Sequence, residues 1–181
     1  RLRQLGKVIP YNAPQYATQG ALPRATYTAT VHAFTKDDLH KLRVTMAAAT
    51  GPHSALTSTT LKLFLANLEP ATKVIAAPLY RYAMEAWYAN LHTLCPHLHP
   101  RSEMAYTTKQ LHDAWTTNRP DQAPKKAGLG PYRAMGRSAQ LAHWTLLSPM
   151  EWADPDGRRY HLHDKSPAFI KAAIERTIQH R

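Results

Sequence analysis

Cys95, His97 and His99 in the stretch CPHLHP, with His161 and His163 further on, are the side chains best able to ligate a metal. A thiolate with imidazoles would suit zinc, and a site drawing on both stretches is conceivable. Neither stretch has a recognised ligand spacing, and the interleaved prolines read better as a rigid loop, so the expectation is that no metal is held. Catalytic signatures are absent: there is no Gly-rich phosphate loop, no nucleophile elbow and no HExxH. Among the 12 acidic residues, Glu85, Glu103 and Asp113 read as helix surface or terminus charges rather than a working carboxylate pair. The chain is therefore expected not to be an enzyme. Binding chemistry remains. Lys and Arg number 23, the formal net charge is +11, and eleven histidines add charge if the local pH falls. Such an excess implies an acidic partner, whether nucleic acid, an anionic membrane surface or an acidic protein.

The elements that would position these groups are helical almost everywhere, and the expected class is all-α. Residues 1–34 show no helical period and carry prolines at 10, 14 and 23, so they read as an extended arm lying across a partner. Residues 35–70 read as a helical pair. Thr35 and Asp38 form a capping box for the first, which runs to about Ala49, and Ser54 caps the second, which ends at Pro70. Residues 71–148 hold three more. The first, about 72–94, presents Tyr80, Met84, Trp87 and Leu91 as one face, with Pro78 either in its first turn or at a kink. The second opens at Ser102, contains Leu111 and Trp115, and closes at Asn118-Arg119-Pro120. The third covers YRAMGRSAQLAHWTLLS, with Met135, Leu141, Trp144 and Leu147 inward. In the C-terminal extension, 149–181, DPDG at 154–157 is a turn signal and RRYHLHD a short extended piece. Ser166-Pro167 starts a last helix to about Gln179. No apolar run is long enough to span a bilayer.

Two segments within 71–148 carry a family resemblance: LYR at 79–81 in the first helix, and HDAWTTNR at 112–119 closing the second. This region resembles the mitochondrial LYR-motif family, small antiparallel three-helix bundles whose second helix ends in a pattern like Asp-Ala-Phe-x-x-Asn-Arg. Trp115 stands where the family has Phe, and Pro78 directly before the motif is a further departure. The resemblance covers under half of the chain. It implies a bundle that docks the mitochondrial acyl carrier protein, an acidic partner whose acylated phosphopantetheine sends its acyl chain into the bundle. The chain would need no cofactor of its own. By that resemblance Leu79, Tyr80, Arg81 and Arg119 bind the carrier, with Lys125, Lys126, Arg133 and Arg137 as further basic candidates, since arginine pairs well with carboxylates. Met84, Trp87, Leu111, Trp115, Leu141 and Trp144, with Tyr80, would line the acyl site.

The resemblance further implies a non-catalytic accessory subunit of a mitochondrial respiratory complex, with complex I first. Its place would be the matrix side of the inner membrane, peripheral to it and among neighbouring subunits. A start at Arg1, with no acidic residue before Asp37, agrees with removal of a targeting presequence, and the lone Cys95 suits a reducing compartment. Extensions beyond the bundle favour a resident subunit over the alternative of an assembly factor. The rival class is a basic subunit of the mitochondrial ribosome that lies on RNA, although no RNA-binding module signature is present and the basic residues are dispersed.

Overall fold

The computed structural model describes residues 13–49, 58–65, 69–94, 107–122 and 129–179. In chain order these form α1 (Ala13–Tyr16), a π-helical turn (Ala17–Ala21), α2 (Leu22–Ala29), α3 (Lys36–Ala49), α4 (Thr59–Leu65) and α5 (Pro70–Leu94). There follow α6 (Thr108–Asn118), a 3-10 turn (Pro120–Gln122), α7 (Pro131–Ala142), strands β1 (Thr145–Leu146), β2 (Glu151–Ala153) and β3 (Arg159–His161), and α8 (Pro167–Gln179). The fold is mostly helical with one small sheet, which corrects the all-α expectation.

Helices α2, α3, α6, α7 and α8 all contact α5. Its buried residues include Ala76, Leu79, Tyr82, Ala83, Ala86 and Ala89 at helical spacing, four of them alanine, with Val74 and Ile75 beside them. Small side chains let neighbouring helices approach closely, and α2, α7 and α8 all pack against this helix. The face expected inward, Tyr80, Met84, Trp87 and Leu91, is only half-buried. That stripe lies beside the true contact face, which Leu79 and Tyr82 share with the alanines. Pro78 lies well inside α5. With no N–H it cannot bond the carbonyl of Val74, and its ring is buried.

The extended arm of residues 1–34 is overturned where it is described. Residues 13–29 are helical in succession, α2 packing on α5 and α1 on α3, and they add Ala17, Leu22 and Ala29 to the same buried cluster as Leu79. Ala17, Ala21, Ala25 and Ala29 repeat every fourth residue, with Ala21 and Ala25 partly buried against the core. Pro23 falls in the first turn of α2, where a missing N–H costs nothing. The prolines thus punctuate helix starts rather than exclude helices.

The Thr35 capping box holds. Asp38 Oδ2 accepts from the Thr35 backbone N–H at 2.9 Å and from its hydroxyl at 2.7 Å, and Thr35 Oγ1 accepts from the Asp38 N–H at 3.1 Å. The backbone bond from Thr35, then that from its hydroxyl, lower the Asp38 carboxyl below its ordinary 3.8. A lowered carboxyl stabilises at neutral pH, and the gain is lost as pH falls through the folded-state value. Thr35→Ala is expected to cost about 1 kcal/mol in urea unfolding at pH 7. The deficit should narrow as pH falls below about 4 and on through the lowered folded-state value, as the carboxyl takes up its proton.

Other ends depart from expectation. Residue 54 lies outside the described residues, and Ser58 takes the cap position before α4, accepting from the Leu61 N–H at 3.0 Å. Ser102 also lies outside them. The capping box of α6 is built by Thr107 and Gln110, and its C-terminus is Arg119 in the left-handed region (φ 45°), followed by Pro120. Helix α7 stops at Ala142, earlier than expected. His143 adopts φ 59°, the Trp144 N–H bonds back to the Ala139 carbonyl at 2.9 Å, and the chain leaves as β1.

The sheet is antiparallel in the order β1-β2-β3, with Leu146, Trp152 and Tyr160 in one row of register partners. Leu146 and Trp152 are buried and Tyr160 half-buried, so this row covers the helices. The DPDG turn joins β2 to β3. The Asp154 carboxylate accepts from the N–H groups of Asp156 and Arg158 and from the Tyr160 hydroxyl, and Gly157 supplies φ 82°. Ser166 precedes α8 as expected, its Oγ accepting from the Phe169 N–H at 3.3 Å. Residues from Ala17 to Ile174 belong to a single buried cluster, so the stretches expected as arm, helical pair, bundle and extension share one core.

Candidate docking site around Arg81

Leu79, Tyr80 and Arg81 occupy three successive directions around α5, and each meets a different environment. Leu79 is fully buried in the core. Tyr80 is half-buried, with the Lys171 ammonium of α8 over its ring at 5.3 Å. Arg81 points outward, its side chain 60% exposed, and Nη2 meets Glu85 Oε1 at 2.7 Å one helical turn on. With the arginine end in solvent and Glu85 only 21% exposed, an i,i+4 helix pair of this kind contributes about 1 kcal/mol or less to the fold, so the guanidinium can be redirected at little cost.

Arg81 and Glu85 stand on a cleft of about 320 Å³ whose other walls are Pro78 and Tyr82 of α5, Leu111 and Ala114 of α6, and Tyr132 and Met135 of α7. Thr30 and Val31, just after α2, complete it. The cleft is bounded by the three helices to which the motif residues were assigned, and its lining is mainly apolar. Tyr82 is the residue the motif did not reveal. It lies at the centre of an aromatic group, with ring centroids 5.9 Å from Trp115, 6.0 Å from Tyr132 and 5.8 Å from Trp152. Burial, with Tyr132 adding to it, raises the phenol far above the ordinary tyrosine value, so Tyr82 is neutral. Its hydroxyl has no hydrogen-bond partner among the described residues.

The other expected residues divide. Leu111 lines the cleft, and Trp115 lies behind it against Tyr82. Met84 faces a different groove, between α5 and α2. Trp87 and Leu141 are half-buried and outside the cleft lining. Trp144 belongs elsewhere: its indole N–H donates to Thr177 Oγ1 of α8 at 2.8 Å and its ring lies 5.0 Å from Tyr160. The early end of α7 sends this tryptophan into the contact with the C-terminal helix.

Of the basic candidates, Arg119 is exposed and its Nε lies 3.7 Å from Asp121 Oδ1, a loose pair. Arg133 is exposed on α7. Arg137 is half-buried, its Nη1 donating to Gln140 Oε1 at 3.1 Å, and its Nε is buried without a hydrogen-bond partner among the described residues. Lys125 and Lys126 lie outside the described residues, as do Cys95, His97 and His99. His161 and His163 have ring centroids 5.7 Å apart, and His163 Nε2 lies 3.2 Å from Asp164 Oδ1. Among the described residues no three His, Cys, Asp or Glu side chains gather as a metal set, and no helix is long and apolar enough to cross a membrane. Compared with family models, with curated proteins and with solved structures, the chain matches none.

Proposed function

We propose that this protein is a non-catalytic accessory subunit of a mitochondrial respiratory complex, complex I first, that docks the mitochondrial acyl carrier protein on the matrix side. One observation carries the reading: Arg81, the charged residue of the tripeptide, stands at the apolar cleft between α5, α6 and α7. Support also comes from the two motif segments meeting in space, since Tyr82, next to the tripeptide, packs on Trp115 of the second segment. A cation at an apolar cleft suits a partner with an acidic surface and an apolar appendage. The acidic surface would draw Arg81 away from Glu85, and the partner's acyl chain would lie against Leu111 and Met135. The cleft is at the small end of ligand-pocket sizes, so a short chain or the end of a longer one fits best.

Arg81→Glu should weaken co-purification of the acyl carrier protein by more than tenfold. Reversing a partly desolvated interfacial charge costs at least the ~2–5 kcal/mol of its truncation. Glu85→Gln frees Arg81 and should leave binding equal or tighter. Arg176→Glu on α8, away from the cleft, should change little. Loss with Arg176→Glu but not with Arg81→Glu would remove the tripeptide from the account and leave general charge in its place.

A further inference from the structure

A second groove, of about 700 Å³, shares Arg81 with the cleft but is walled by α2, α5 and α8. Lys73 and Arg81 of α5 and Lys171 of α8 line it, and no carboxylate does so among the described residues. Two of these cations have a neighbouring acid: Glu85 meets Arg81 at 2.7 Å, and Glu175 approaches Lys171 only to 3.9 Å. Lys73 is exposed and has no ion pair among the described residues. Lys73 and Arg81 are eight residues apart, roughly 12 Å along the helix. Charge spread over that length suits an extended polyanion better than one small anion. Tyr27 of α2 also borders the groove and is 77% exposed, which leaves most of its ring open.

We propose that this groove binds single-stranded nucleic acid, its phosphates on Lys73, Arg81 and Lys171 and a base stacked on Tyr27. Lysines act as point charges toward phosphate, and a charged groove beside exposed aromatic rings is how single strands are held without sequence preference. The groove is bounded by helices on every side named, which favours a strand laid along it over a duplex. The proposal shares Arg81 with carrier docking but does not rest on it, since Lys73, Lys171 and Tyr27 are not part of the cleft.

The test is fluorescence anisotropy with the full chain and a labelled oligo-uridine of about twenty nucleotides, long enough to cover a single-strand site. Three phosphate contacts predict a slope of log affinity on log salt near −2. Lys73→Ala should lower that slope by about 0.7, and Tyr27→Ala should weaken binding about fivefold or more. Both side chains are exposed, and thermal melts of each variant check that the fold is kept. Lys73→Gln provides the same charge loss with a longer side chain if the alanine variant melts early. Parent-like binding by the Lys73 and Tyr27 variants would overturn the proposal. Equal competition by polyglutamate, or equal binding of a duplex, would overturn it as well. Carrier co-purification with Tyr27→Ala should be unchanged, so failure here and failure of the carrier reading are distinguishable.

Discussion

Trp152→Ala should destabilise the fold by about 3–5 kcal/mol, the largest single effect expected in this protein. Trp152 is 0% exposed although it sits in a three-residue strand. It is the middle of the row with Leu146 and Tyr160, and its ring is 5.8 Å from that of Tyr82. Truncation would leave a cavity where the sheet meets α5, and strands this short cannot close it by themselves. Tyr82→Phe at the other side of that contact should behave in the opposite way. It removes a buried hydroxyl that has no partner among the described residues and keeps the ring, so stability should be unchanged or slightly higher. Urea unfolding of both variants beside the parent measures the contrast. A loss under 1 kcal/mol for Trp152→Ala would mean that the sheet does not rest on the helices as described. A loss above about 1 kcal/mol for Tyr82→Phe would reveal a partner for its hydroxyl.

Those two positions also show what the sequence could and could not disclose. Helices α3 and α8 were legible because their ends carry side-chain chemistry: Thr35 with Asp38, and Ser166 before Pro167. The DPDG turn was legible for the same reason, as was the close of α6 at Arg119-Pro120. The sheet was not, apart from the extended stretch at β3. Strands of two or three residues are shorter than any alternation that a period of two could display, and Trp152 alternates with nothing. The face of α5 was misread by a fraction of a turn for a second physical reason. A hydrophobic stripe is sought among large residues, whereas Ala76, Ala83, Ala86 and Ala89 are fully buried and Tyr80, Met84 and Trp87 only half-buried.

The site follows the same division. Arg81, Leu111 and Trp115 were named from the motif pattern and come together near one cleft. Tyr82 escaped, although its position is fixed once Leu79 is placed inward, because a residue three further on shares that face. Trp144 was assigned to the site only because α7 was extended beyond Ala142. The left-handed turn at His143 removes it, and a non-glycine residue at that conformation leaves no mark in sequence as clear as a glycine would.

Leu22→Ala tests the element least visible in the sequence. Residues 1–34 read as an arm meant for a partner, and in that case the substitution would alter docking and leave folding alone. In the structure Leu22 is 4% exposed, in the same buried cluster as Ala17 and Ala29, on the helix α2 that packs against α5. Deleting its three outer carbons from that contact should cost about 2–5 kcal/mol. Tyr27→Ala on the same helix, at an exposed position, should cost little because alanine is the better helix former, so a loss confined to Leu22→Ala is a loss of packing. The contrast also bears on function. If α2 is part of the core, the α2–α5–α8 groove is a built surface whose walls move together, and Leu22→Ala should weaken nucleic-acid binding in step with stability. Should Leu22→Ala unfold at the same urea concentration as the parent, α2 would not belong to the core. The N-terminal segment would then be free to lie along a neighbour, and the groove it walls would have no fixed shape.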